Sequence, residues 1–288
     1  MRRGYLMALM MGLTLLLPLT SWSAEFFYEA APMFDNCGDQ SYQKAIKEGL
    51  TLGISPSPPY TYLEPGNNKA GGIDVEINEA ALKWMGVTKL NYLVMPFGQL
   101  IPALLAKRID VLTSNIHITA ERTKVISFTG PAWYYGPAIL VAKGNPLKIL
   151  SFQDLKGKKV GINAGSASEN RLKAYGITPT TFFQTDAEEF AAAAANRVDA
   201  IVDDDIKISE YLRANPSAPL QMIQAPNPGG LDYTKGGIGY NRYGVRKEDC
   251  TLRVAFTQAL AEMYGNGLIL NILKEHGLTV HNVLYYLQ

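Results

Sequence analysis

The 288-residue chain holds 27 lysines and arginines against 26 aspartates and glutamates, a formal charge of +1. It therefore lacks the basic excess that nucleic acid or an anionic membrane surface demands. Hydrophobic residues make up 47% and charged residues 18%, which fills cores and is too apolar for a disordered binder.

At the N-terminus, Arg2 and Arg3 precede an apolar run over 6–19 that is broken only by Gly12, Thr14 and Pro18, and small residues follow at Ser21, Ser23 and Ala24. This order predicts a secretory signal peptide over 1–24, and its alternative is a retained anchor. The exported remainder is expected in the periplasm, with length for two domains. Cys37 and Cys250 both fall in that remainder, where the compartment permits a disulfide. Either a bridge or two separate buried thiols fits the sequence, because spacing alone does not show proximity.

From 50 to 54 a short strand is expected, ended by the turn of Pro56, Pro58, Pro59 and Tyr60. Gly66, Gly71 and Gly72 mark a hairpin-like loop. Asp74 is placed to cap a helix whose apolar positions Ile77, Ala80, Ala81 and Trp84 recur at helical spacing as far as Gly86. Leu90, Tyr92 and Val94 alternate as in a strand, 97–107 reads as a helix and 109–113 as a strand.

A second unit of the same kind starts after Pro146. Strands are expected over 158–164, 181–184 and 198–203, and helices over 166–175, 186–196 and 206–214. A glycine-rich strand over 236–245 and two helices, 248–264 and 268–276, close the chain. Alternating β and α predicts an α/β fold with mostly parallel sheets, and two such units in tandem predict two lobes. The last helices have no sheet of their own, so the chain is expected to cross back onto the first lobe, with connections near 137–143 and 237–241.

Catalytic and metal motifs are missing. His117, His276 and His281 occupy no HExxH or similar ligand spacing, and there is no Walker loop, G-x-S-x-G elbow or strand-borne G-x-G-x-x-G. Asp203, Asp204 and Asp205 lack EF-hand spacing. No metal or other cofactor is therefore expected.

Four features lie at strand ends, where open α/β sheets bind ligands. The run from Ser114 through Asn115, His117 and Thr119 to Arg122 leaves a strand and enters a helix, so Arg122 can clamp a carboxylate with paired hydrogen bonds. A surface ion pair with Glu121 or Asp110 is the alternative. Gly165, Ser166, Ala167 and Ser168 form a turn into a helix and can lend N–H groups to the same anion. Asp204 ends a strand and can accept from an ammonium group, whereas Asp203 and Asp205 read as solvated or capping residues. Tyr60 and Phe97 can flank a ligand, or simply pack in a core.

Together these stretches resemble the periplasmic solute-binding proteins of polar amino acid ABC importers (family 3), including histidine-, glutamine- and ectoine-binding members. The resemblance rests on Pro58-Pro59-Tyr60, Gly72-Ile73-Asp74, Arg108-Ile109-Asp110, Ile118-Thr119-Ala120-Glu121-Arg122, Asp154-Leu155-Lys156-Gly157-Lys158, Val198-Asp199-Ala200 and Tyr243-Gly244-Val245-Arg246-Lys247-Glu248. It implies a two-lobed Venus-flytrap protein (type II) with two crossover strands, lobe 1 comprising 25–140 and 238–288 and lobe 2 comprising 141–237.

By the same resemblance, Arg122 holds a ligand carboxylate with help from Asn115 and the Ser166–Ala167 turn. Asp204 binds the ammonium, and Tyr60, Phe97 and His117 form the wall. His117 departs from the pattern, which favours a small hydroxyl residue in amino acid binders and an aromatic one in ectoine binders. The expected partners are a small zwitterion and an ABC permease in the inner membrane, with a monomeric receptor and no nucleic acid. An enzyme on the same fold, like cyclohexadienyl dehydratase, is the alternative. The segment 25–48 lies ahead of the family's usual first strand and has no place in this reading.

Overall fold

The computed structural model describes residues 37–66, 69–224 and 239–284. The expected signal peptide lies outside the described residues. Among the described residues, no helix is long and apolar enough to cross a membrane.

Two five-stranded sheets organise the molecule. In the first, β1 (Leu50–Ile54) pairs in parallel with β4 (Leu90–Val94) and with β5 (Val111–Ile116). On the other side of β5, β12 (Arg242–Arg246) runs antiparallel and also pairs with β6 (Ile126–Phe128). A short hairpin, β2 (Tyr62–Leu63) with β3 (Ala70–Gly71), follows the proline turn as expected. In the second sheet, β8 (Val160–Asn163) runs parallel to β9 (Thr181–Phe183) and to β10 (Ala200–Asp204). There β7 (Pro137–Ala142) lies antiparallel between β10 and β11 (Leu220–Gln224). Every residue of β5 and of β10 is buried, as in the central strands of a sheet covered on both faces, although each carries polar residues toward its C-terminal end. Pro137–Ala142, which spans the expected lobe boundary and was read as a connection, is one continuous strand of the second sheet.

The return of the chain to the first sheet is visible in β12 and in the two helices after it. From α8 (Cys250–Gly265) and α9 (Leu268–Glu275), Leu252, Phe256, Leu260 and Ile269 pack with Leu52 and with Ile73, Ile77 and Leu82 of α2 (Ile73–Trp84) in one core. Each such side chain taken from water contributes about 1.5–3 kcal/mol. Separate cores, containing Ile139, Val160 and Ile162, or Leu140, Ile201 and Ile208, serve the second sheet.

Of the segment 25–48 that the sequence left unexplained, the described part, 37–48, is a strap on α8. Its helix α1 (Ser41–Glu48) contacts α8, and Cys37 is bridged to Cys250 across a sequence separation of 213, with α-carbons 5.5 Å apart. Beside the bridge, Asp39 accepts hydrogen bonds from the backbone N–H groups of Ser41 (2.9 Å) and Thr251 (2.9 Å).

The two segments that join the sheets meet at a bridge between Trp133 and Asn241. Asp74 anchors this crossing. Helix α2 starts at Ile73 with Gly72 as its cap residue, not with Asp74. The Asp74 carboxylate is fully buried and points into the crossing, where it accepts from Trp133 Nε1 (2.9 Å), Asn241 Nδ2 (2.7 Å), the Tyr243 hydroxyl (3.2 Å) and the Asn115 backbone N–H (2.6 Å).

Burial raises the Asp74 carboxyl to about 6, although these donors oppose the shift. The folded state thus holds this proton more tightly than the unfolded chain, so the group costs stability as pH rises from about 4 to about 6 and has no further effect above that. The Trp133 indole N–H resonance is expected to titrate with an apparent pKa near 6, and to stop doing so in Asp74→Asn. A flat wild-type signal from pH 4.5 to 7.5 would contradict the assignment.

Candidate functional site

The site lies where strand ends of the two sheets face each other, in a single pocket lined from both. Near the end of β5 the chain turns through Asn115, whose φ of 31° is left-handed, a conformation asparagine tolerates better than most residues. Two bonds hold that turn: Asn115 N–H to Asp74, and the Tyr135 hydroxyl to the Asn115 carbonyl (2.5 Å). The side chain is thereby aimed across the cleft, where Asn115 Nδ2 donates to Asp204 Oδ2 (3.2 Å).

Thr119 then caps the short helix α4 (Ala120–Thr123), its side chain accepting from the Arg122 backbone N–H (3.2 Å). The cap fixes Arg122 in the first turn, and its side chain is folded inward with only 7% exposed. The guanidinium lies 5.5 Å from the Phe97 ring centre. Nη1 donates to the His117 carbonyl (2.5 Å) and Nη2 to the Gly165 carbonyl of the opposite lobe (2.7 Å). Of five guanidinium donors, these two hold the fork in place.

On the second lobe, Gly165 has φ +80° and starts the turn of Ser166 and Ala167 before α5 (Ser168–Ala174). The two lobes touch through main chain here: a β-carbon on Gly165 would stand 3.1 Å from the α-carbon of Gly98. Asn170 Nδ2 also reaches Glu121 Oε2 (2.7 Å) and Ser57 Oγ reaches Asp186 Oδ2 (2.7 Å). Together with Asn115–Asp204 and Arg122–Gly165, these bonds link the two lobes across the pocket.

Phe97, Asn115, His117, Arg122, Ser166, Ala167 and Asp204 all line this pocket. Tyr60 does not. Its ring is fully buried in the first lobe, 5.0 Å from Tyr135 and 5.5 Å from Trp133, so it belongs to the aromatic core beneath the site. Asp203, read as solvated, is only 4% exposed and lines the pocket. Its carboxylate lies 2.9 Å from Lys207 of α7 (Asp205–Ala214). Asp205 sits at the start of α7, accepting from its neighbour Ile206 and from Gly136 N–H.

The sequence reading also missed Ser55, Ser57, Asn163, Asp186 and Lys207, which complete the pocket wall. Asp186 opens α6 (Asp186–Ala194), accepting at Oδ1 from Asn163 (2.8 Å) and from Lys207 (3.3 Å). Asp186, Glu189 and Asp203 bring carboxylate oxygens within 4.8 Å of one another, a spacing suited to a cation, and the Lys207 ammonium supplies one.

The electrostatics follow from burial. His117 is pushed well below its ordinary range by desolvation and by the guanidiniums of Arg122 and Arg171, so the imidazole is neutral; its ring packs 4.4 Å from Tyr135. Asp204 is raised well above the carboxylate range by burial and by Asp203, against the pull of Lys207 and Arg171. An ammonium placed against it would favour its ionised form. Lys207 loses by burial and gains more from Asp186 and Asp203, which keep it charged.

Two lobes of α/β construction, joined by two crossing segments and closed over a polar pocket with a buried arginine, define a Venus-flytrap binding protein. Residues 50–279 match the model of the bacterial extracellular solute-binding proteins, family 3, and the chain belongs to that family. It is 28% identical over 229 residues to the ABC transporter arginine-binding protein 1 of Escherichia coli K12, an alignment covering 79% of this chain and 90% of that protein. It is likewise 28% identical over 237 residues to the histidine-binding periplasmic protein of the same organism, covering 81% and 88%. Among solved structures, an ancestral arginine-binding protein bound to glutamine superposes with a TM-score of 0.68 at 33% identity, covering 78% of this chain and 96% of that one.

Proposed function

We propose that the chain is an extracytoplasmic receptor that captures a small zwitterion, an amino acid or an amino-acid-like solute such as ectoine, by lobe closure, and delivers it to the permease of an ABC importer. The observation that carries this reading is that Arg122, in α4 beyond the end of β5, and Asp204, at the end of β10, line one pocket. A carboxylate bound by Arg122 and an ammonium bound by Asp204 place the ligand's two charges on two lobes, so full affinity requires closure. The ligand then shifts an open–closed equilibrium by its preference for the closed form. The relatives named for arginine and histidine binding support the same class of solute. A signal peptide over 1–24 would place the receptor in the periplasm, where it would act as a monomer.

Capture is favoured over turnover by the state of His117. A buried imidazole next to two guanidiniums is a poor proton acceptor, which argues against a dehydratase-like general base. A thermal-shift screen against amino acids, opines, polyamines and compatible solutes tests the proposal, because a ligand at 100 times its Kd stabilises the fold by about 2.7 kcal/mol. A zwitterion is expected to raise Tm by several degrees. Turnover of prephenate or arogenate would instead establish the enzyme.

A further inference from the structure

Lys207 lines the same pocket as Arg122 and Asp204. The inference rests on the receptor reading above and concerns the carboxylate partners of Lys207 in that pocket. There, Asp186 and Asp203 present two carboxylates, Asp203 buried and Asp186 partly so, of the kind that would receive a ligand's cationic side chain. Both are already engaged by the protein. Asp186 Oδ2 accepts from Ser57 (2.7 Å), and its Oδ1 accepts from Asn163 (2.8 Å) and Lys207 (3.3 Å). The Asp203 carboxylate lies 2.9 Å from the same Lys207 ammonium.

Lys207 has 6% of its side chain exposed, so solvent does not screen its charge from a neighbour. Glu189, behind this pair, is fully buried with neither oxygen in a hydrogen bond. Burial and the adjacent Asp203 raise it well above the carboxylate range, so it is a neutral acid and not a further anion.

With Asp204 ionised by the ligand's ammonium, the cations Arg122, Lys207 and Arg171, the last interacting electrostatically with Asp204, balance Asp186, Asp203 and Asp204. A ligand with one carboxylate and one cation preserves that balance on closure. A basic amino acid adds a second cation, which must either lie against the buried Lys207 ammonium or displace it from its two carboxylates. Burying a charge without a partner is strongly disfavoured.

We propose that Lys207 is a specificity-determining residue that occupies the cation subsite from within, so that the receptor takes net-neutral zwitterions and rejects arginine and lysine, unlike the arginine-binding proteins it resembles. Titration calorimetry of the mature protein with glutamine, ectoine, arginine and lysine tests this. At least one neutral zwitterion is expected to bind, with arginine and lysine at least tenfold weaker. Lys207→Gln keeps a donor for Asp203 but removes the charge, and is expected to gain at least tenfold in affinity for arginine and lysine while gaining nothing for the neutral ligand.

Arginine or lysine binding wild type as tightly as the neutral ligands would overturn the inference and leave the receptor reading standing. An unchanged affinity of Lys207→Gln for both basic amino acids would also overturn it. Binding of no zwitterion at all would overturn both readings. If circular dichroism shows Lys207→Gln unfolded, the wild-type ranking decides alone.

Discussion

Arg122→Ala is expected to weaken binding of the zwitterionic ligand by at least tenfold, and Asp204→Ala to do the same. Truncating one partner of a buried charge pair typically costs about 2–5 kcal/mol, and each 1.4 kcal/mol is about tenfold in affinity. The two variants should differ in kind. Arg122 also bonds the Gly165 carbonyl across the cleft, so its loss removes a link between the lobes as well as the carboxylate clamp. Among the described residues, Asp204 is hydrogen-bonded across the cleft by Asn115, so its loss should act mainly through the ligand's ammonium. Arg122→Lys separates charge from geometry, because a point charge cannot reproduce the two-pronged fork; an affinity between wild type and Arg122→Ala is expected. Calorimetry showing unchanged affinity in both alanine variants would remove these residues from the site.

The second large effect concerns the strap. In the chain-entropy view, a crosslink spanning 213 residues stabilises by about 5 kcal/mol. At about 2–4 °C per kcal/mol for a protein of this size, Cys250→Ser is expected to lower Tm by about 10–20 °C. Cys37→Ser should match it, and the double variant should add nothing further. Ligand affinity should be retained, since the bridge lies on α8 and away from the pocket. A change below 2 °C would show that the hydrogen bonds of Asp39 to Ser41 and Thr251 hold the strap unaided.

Much of this architecture was legible because the chain alternates apolar strands with amphipathic helices, and because such sheets gather ligand groups at strand ends. Arg122, Asn115 and Asp204 were readable on that rule alone. Less legible was β7, the antiparallel strand of the second sheet, which has no α-helix between it and β8 to announce a parallel unit. The far wall of the pocket was hidden for a different reason. Asp186 stands at a helix start, where an acidic residue is usually a dipole partner, and Asp203 sits in an acidic triplet that resembles a solvated surface. The available signal was the spacing from Asp203 to Lys207, four residues apart across a strand-to-helix junction, where an ion pair turns inward. Tyr60 misled for the opposite reason: a tyrosine after a proline turn looks exposed, yet its neighbours Trp133 and Tyr135 are supplied by a segment more than seventy residues away.

The near-contact of Gly98 with Gly165 gives the clamp a stop. Side chains can yield by rotating, whereas two facing stretches of main chain yield less, so under the receptor reading this contact limits how far the lobes approach. A smaller guest would draw the jaws little tighter, and a larger one would leave them ajar. The permease would then be offered a shape nearer to yes-or-no than to graded, and selectivity would be read by whether the jaws seat. A methyl group on Gly98 would stand 3.3 Å from the Ala164 carbonyl oxygen, and one on Gly165 3.1 Å from the Gly98 α-carbon, so the facing main chain would have to give way by a few tenths of an ångström.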